Sequence, residues 1–269
     1  MKYKRLSVLL MGGVVFAAVL CIPSVGFASL LSSADQFAVL AGSTVTNTGM
    51  STVVGDIGVW AGSALAGYGT ITHTGTVHLA DAVAQTAQGD LTTAFNGLAG
   101  MPVNALLTGQ DLGGLTLAPG VYNYSSSAQL TGTLNLDAQG HDNVSWVFQV
   151  GTALTTGSNS AVKFVNLGPN NGLDNSVFWQ VGSSAVLGSG TAFIGNILAD
   201  QSISLDTGAT MNGSALARIG AVTMEGNFIG RGFNGAPIAP TATPEPASMA
   251  LLGMGGVGMV VRRFFQKKS

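Results

Sequence analysis

Phe193-Ile194-Gly195-Asn196-Ile197-Leu198-Ala199 is echoed 18 residues later by Met211-Asn212-Gly213-Ser214-Ala215-Leu216-Ala217. Just upstream, Leu187 maps onto Leu205 and Gly190 onto Gly208 at the same offset. A unit this short cannot bury an apolar face alone and must stack on its neighbours, which is the logic of a solenoid. Its apolar positions are spaced as in short strands, without a helical period. The repeat therefore predicts a mainly β chain in which each unit is one coil of a β-helix.

The composition agrees with that reading. Only 8% of residues are charged and 39 are Gly, against about 25% charged in an ordinary soluble domain. The apolar residues are scattered and do not gather into the ~20-residue runs of a spanning helix. Regularly placed Val147, Val150, Val162, Phe164 and Phe178 predict a packed core, not a disordered chain.

Both ends read as processing signals. Met1 to Ala28 has a basic start (Lys2, Lys4, Arg5), an apolar stretch from Leu6 to Ile22 and a small-residue exit at Gly26-Phe27-Ala28, the pattern of a secretory signal peptide cut after Ala28. Cys21 sits in a poor lipoprotein context and falls within the removed segment, so the mature chain has no cysteine and no disulfide. At the other end, Pro244-Glu245-Pro246 precedes a short Gly-rich apolar stretch from Ala247 to Val261, then Arg262-Arg263 and Lys267-Lys268. The plain reading is a C-terminal anchor with its positive charges inside. The order of the three parts resembles the PEP-CTERM sorting signal of Gram-negative bacteria. That resemblance implies an exosortase that recognises the tripeptide, a short transmembrane helix that anchors the chain transiently in the inner membrane, and a final place outside the cell or on its surface. The expected division is a signal peptide over 1–28, a β-helix domain over 29–235, a Pro/Ala/Thr linker over 236–243 and the sorting signal over 244–269.

From Ser29 to Thr243 the only basic residues are Lys163, Arg218 and Arg231, against all of the acids except Glu245, which leaves 3 positive and 11 negative charges. Nucleic-acid binding needs a basic face, and this segment has none. One helix is predicted, over Val77 to Leu98, from Ala80, Val83, Ala84, Ala87, Leu91, Ala94, Phe95 and Leu98 at i, i+3, i+4, i+7 spacing, with Asp81 in its first turn and Gly100 and Pro102 as stops. Its single apolar stripe would lie along the solenoid. The rest is strands and tight turns. Val144–Gly151 resembles Ser176–Gly182, and both read as buried strands ending in a Gly corner.

An ordered set of segments carries a family resemblance. These are Phe37-Ala38-Val39-Leu40-Ala41-Gly42-Ser43-Thr44-Val45-Thr46-Asn47-Thr48-Gly49, Gly55-Asp56-Ile57-Gly58-Val59 and Ala87-Gln88-Gly89-Asp90-Leu91, then Leu115-Thr116-Leu117-Ala118-Pro119-Gly120-Val121-Tyr122, Phe178-Trp179-Gln180-Val181-Gly182-Ser183-Ser184-Ala185 and Gly195-Asn196-Ile197-Leu198-Ala199. Together they resemble the DUF3494 family of ice-binding proteins from about Leu30 to Ile229. The resemblance implies a right-handed β-helix of roughly triangular section with one long α-helix packed alongside, and one flat face that binds ice. Members with a cysteine pair after the helix differ from this chain, which lacks it.

Such a face would need stiff side chains that hold surface water. Thr offers a hydroxyl and a methyl on a β-branched carbon, and coils stacked about 4.8 Å apart turn outward residues into a lattice. Some members carry a Thr-Ala/Gly-x-Thr/Asn motif there. Thr156-Gly157-Ser158-Asn159 and Thr207-Gly208-Ala209-Thr210 match it, Ser189-Gly190-Thr191-Ala192 and Thr131-Gly132-Thr133-Leu134 match it in part, and Thr48-Gly49-Met50-Ser51 matches it less well. The expected contact residues are Thr131, Thr133, Thr156, Asn159, Ser189, Thr191, Thr207 and Thr210. Against this, six Thr-Gly pairs among 24 Thr and 39 Gly are not far above random placement, and any one of them taken singly reads as a corner turn ahead of an ice contact.

The alternatives are an enzyme and an adhesin. Asp137, Asp142, Asp174, Asp200 and Asp206 are scattered at turn-like positions with no paired carboxylates, as acid–base chemistry would require. His73, His78 and His141 show no metal spacing, and no nucleotide-binding fingerprint occurs. No cofactor and no catalytic residue is expected, and the chain is expected to act as a monomer whose partner is the ice crystal. A matrix or cell-surface adhesin for exopolysaccharide is the second reading, with Trp60 and Tyr68 as candidate exposed aromatics and Trp146 and Trp179 buried.

Overall fold

The structure is a computed structural model that describes residues 30–230. The expected signal peptide, linker and sorting tail lie outside the described residues. Three all-parallel sheets run along the solenoid, and a full coil gives one strand to each. The first stacks Val77–Leu79, Asp56–Val59, Phe37–Ala41, Ala215–Ala217, Asn196–Ala199, Ser176–Val181, Ser145–Val150, Gly120–Tyr124 and Ala105–Leu106. The second stacks Ala128–Leu130, Leu154–Thr156, Ala185–Leu187, Ile203–Leu205, Val222–Glu225, Thr44–Thr48 and Ala64–Ala66. The third runs Ile71–His73, Ser51–Val54, Phe228–Gly230, Thr210–Asn212, Ala192–Ile194, Ala161–Val165, Thr133–Asp137 and Thr116–Leu117.

Stacking order is not chain order. The first coils are built at one end, the helix carries the chain to the other end, and the remaining coils wind back until they pair with the start. Val39 meets Ala215, Val45 meets Val222 and Thr52 meets Phe228. This closure leaves no free edge in the middle of the stack, where a parallel strand would otherwise recruit another chain.

The 18-residue echo is the true coil register between Trp179, Ile197 and Ala215. It blurs elsewhere because corners lengthen: Val147 pairs with Phe178, 31 residues on, since 166–175 loops out of the coil. Within the echo the glycines are obligatory. Gly195 and Gly213 have φ of 117° and 151°, and a Cβ on Gly213 would lie 2.1 Å from the Gly195 carbonyl oxygen. The corner between the third and first sheets therefore admits no side chain at that level.

Inside the coils, Tyr122, Phe148 and Trp179 stand in register on the first sheet, with Phe148 and Trp179 stacked at 3.9 Å. Trp146 and Trp179 are buried as expected, and their indole N–H groups donate to the Leu117 and Ile194 carbonyls. The outer side of the same sheet is covered by the helix Ala82–Ala99: Ala87, Leu91, Ala94, Phe95 and Leu98 pack on Leu40, Val147, Phe178, Leu198 and Leu216. Burial on both sides explains the unbroken apolar runs of its strands. Buried Gln149 donates to the Leu98 and Met101 carbonyls, satisfying orphan acceptors at the helix C-terminus.

The helix begins later than its apolar period predicts. Val77–Leu79 is a strand paired with Ile57–Val59, and Ala80 has φ of 52°. Asp81 is the N-cap, accepting from the Ala84 N–H at 2.9 Å. That hydrogen bond and one from His78 hold the Asp81 carboxyl below the usual range. Ladder hydrogen bonds outrank helical spacing at 77–79, and Val83, counted on the apolar stripe, is exposed.

Candidate functional site

The outer sides of the three sheets differ. The first carries the helix. The third mixes Asp137 and Lys163 with a bulky Phe228 that sits between Thr210 and Thr52. The second is uniform. Its inward positions, among them Val45, Val222, Ile203, Leu205, Ala185, Leu187 and Leu154, are buried. Between them runs one outward column, Ala66, Thr46, Thr223, Ser204, Val186, Thr155 and Gln129, each residue in direct register with the next. Six steps at strand spacing make a row about 29 Å long. Beside it, Thr44, Ala221, Ser202, Ser184 and Ala153 form a second row, linked by backbone bonds such as those from Ile203 to Ala221 and from Ala185 to Ser202. The hydroxyls of Thr46, Thr155, Ser204 and Thr223 bond to no other described residue, and all four side chains are exposed or half-buried. Glu225 is the only charged residue in the seven strands of this sheet.

The parallel pairing is unshifted throughout the second sheet, whereas the one register shift noted for the first lies between Phe37 and Val39. Zero shift keeps the columns straight. β-branched Thr and Val keep side chains in few rotamers, and the packed interior below allows little give.

The Thr-Gly motifs occupy the corner between the second and third sheets, not this face. Thr156 pairs in register with Leu187, so it points inward and is 3% exposed. Thr191 is 0% exposed. Their hydroxyls bond to each other at 2.9 Å, Thr156 Oγ1 accepts from the Gly188 N–H, and Thr191 Oγ1 donates to the Gly157 carbonyl. These two expected contacts are corner braces, closed to any external surface. The motif at Thr156 is also out of phase, because Ser158, not Thr156, corresponds to Ser189 and Thr207. Thr131, Asn159, Ser189 and Thr207 are exposed in the corner turns, where Asn159, Gly190 and Gly208 supply the left-handed residue at φ of 57°, 68° and 71°. Thr133 and Thr210 begin strands of the third sheet and face outward there, half-buried. The expected residues thus divide among buried corner braces, exposed corner turns and the outer side of the third sheet, and none lies in the central column of the second. The residues of the central column were not among those expected, although apolar–Thr/Ser–apolar triplets recur at Ile203-Ser204-Leu205 and Val222-Thr223-Met224. Alternation is the signal that finds them.

Among the described residues no group of three or more His, Cys, Asp or Glu is placed to hold a metal. Tyr68 is exposed and bonds to His73 Nε2 at 2.8 Å, while Trp60 is half-buried. Both lie in the coil at one end of the stack and form no row along a face.

A solenoid that presents an in-register, hydroxyl-bearing, almost uncharged sheet has the repeating geometry that suits adsorption to an extended ordered surface. The chain belongs to the ice-binding-like family, whose model matches residues 39–230. It is 49% identical over 243 residues to an ice-binding protein of Nostoc sp. (strain HG1), covering 89% of this chain and 88% of that one. An ice-binding protein of Flavobacterium frigoris (strain PS1) is 30% identical over 216 residues, covering 74% of this chain and 75% of that one. Among solved structures, an ice-binding protein from an Antarctic biological consortium superposes with a TM-score of 0.70 at 41% identity, covering 74% of this chain and 89% of that one. That of Antarctomyces psychrotrophicus gives 0.70 at 36%, covering 75% and 97%. These neighbours bear out the expected β-helix. The PEP-CTERM protein-sorting motif matches residues 242–263.

Proposed function

We propose that this protein is exported and adsorbs to ice through the outer side of its second sheet, slowing crystal growth and recrystallisation without catalysis or cofactor. The observation that carries the reading is the in-register column from Ala66 to Gln129, with its free Thr and Ser hydroxyls and no charge. Methyl groups of Thr, Val and Ala shed their hydration cheaply, while the hydroxyls can each donate and accept. Surface waters can therefore be held at fixed spacing and join the crystal. The family membership supports ice as the surface, and the sorting motif at 242–263 supports export by an exosortase route in which the tail serves as a transient anchor.

The test is direct. Residues 29–243, purified and added to a single growing ice crystal, should facet it and open a gap between its melting and freezing points. Round crystals with no gap at high protein concentration would overturn the proposal.

A further inference from the structure

The long edges of the second sheet's face are finished differently. On the side of the first sheet the charges are consumed within the protein. Arg218 pairs with Asp200, its guanidinium lies 4.6 Å over the Phe95 ring, and Gln201 also donates to Asp200. On the side of the third sheet, Glu225 is exposed and no cation among the described residues lies within ion-pair distance. Its side-chain contact is the Thr207 hydroxyl, which donates to Oε2 at 3.1 Å. Glu225 stands in register with Thr48, and Asp206 follows on the next coil, because Met224 pairs with Leu205. A third outward column therefore starts at Thr48, alongside Thr46, and is interrupted at once by two carboxylates.

A carboxylate gives up bulk water only at a large cost unless it is paired. A crystal of neutral water offers no counter-charge, so ice cannot settle over this column as it does over the other two. Resting on the reading that the second sheet meets ice, we propose that Glu225 and Asp206 set the edge of the contact face and restrain its strength. The exposed hydroxyls of Thr48 and Thr207 are thereby kept out of the contact.

The experiment compares wild type, Glu225→Gln, the pair Glu225→Gln with Asp206→Asn, and Asp174→Asn, a charge removed from the distant 166–175 loop. Gln keeps an acceptor for Thr207, and Glu225→Thr, which copies Thr48 and Thr223, serves if the Gln variant melts early. Thermal hysteresis at equal protein concentration should rise in the pair by roughly 1.25-fold, the ratio of fifteen outward positions to twelve once Thr48 and residues 225 and 206 join the two rows, if adsorption scales with area covered. It should rise less in the single variant and not at all in Asp174→Asn. Unchanged or lower hysteresis in folded variants overturns the inference, as does an equal rise in Asp174→Asn, which would mark a net-charge effect. The parent reading fails separately, if wild type shows no hysteresis or if Thr223→Tyr keeps it in full.

Discussion

Thr223 lies mid-column, with Thr46 on one side and Ser204 on the other, and its side chain points outward between buried Val222 and Met224. Replacing it with Tyr sets a rigid ring upright on a face that is otherwise level. Strands are about 4.8 Å apart, so the ring holds ice away from its own position and from both neighbours. If each of the three hydroxyls contributes a net hydrogen bond of about 0.5–1.5 kcal/mol, the loss is about 1.5–4.5 kcal/mol. That is at least a tenfold fall in adsorption strength, since about 1.4 kcal/mol is a factor of ten. The packed interior does not change, and Tyr suits an exposed strand position, so melting should move by less than about 0.5 kcal/mol equivalent. Nanolitre osmometry reads the hysteresis gap, and circular dichroism reads the fold. A Thr223→Tyr protein with full hysteresis and native melting would refute the assignment of this face.

Thr191→Val deletes a buried corner hydroxyl and leaves Thr156 Oγ1 and the Gly157 carbonyl short of a partner; thermal melting should report a cost of about 1–3 kcal/mol, with hysteresis per folded molecule unchanged. Gln149→Leu strips the Leu98 and Met101 carbonyls of their donor and should cost about 1–3 kcal/mol, lowering the melting temperature by about 2–4 °C per kcal/mol. The Asp90 carboxyl is held below the usual range by the Ser33 hydroxyl and then the Ser33 N–H, and Asp81 by Ala84 and His78. A folded value below the unfolded one adds stability above about pH 4 that disappears as pH falls through the folded value. The melting temperature should therefore hold from neutral to about pH 4 and drop below it, and Asp90→Asn should make that drop shallower.

The coil was legible because backbone stacking is strictly periodic: once Ile197 sits over Ala215, residues of like burial must recur at the same interval. Glycines at 195 and 213 are readable for the same reason, since the corner crowds out every side chain there. What the sequence hides is phase. Thr156 and Thr207 look equivalent as Thr-Gly pairs, but a two-residue offset in the corner turns one inward against Thr191 and the other outward against Glu225. The helix start was hidden because apolar spacing continues past Asp81 into a segment held by ladder bonds to Ile57–Val59. The closure of the last coil on the first is hidden too, because Val39 and Ala215 are joined by stacking and by nothing in their local sequence.

One comparison bears most directly on the central claim. Ser204→Tyr and Thr210→Tyr place the same ring six residues apart on one coil, the first on the second sheet and the second on the third. Each protein, fluorescently labelled, is mixed with a slowly growing ice hemisphere, and its partition into the solid is measured against wild type. The account predicts that Ser204→Tyr stays in the liquid while Thr210→Tyr enters the ice nearly as wild type does. Equal incorporation of both, or exclusion of Thr210→Tyr alone, would contradict it.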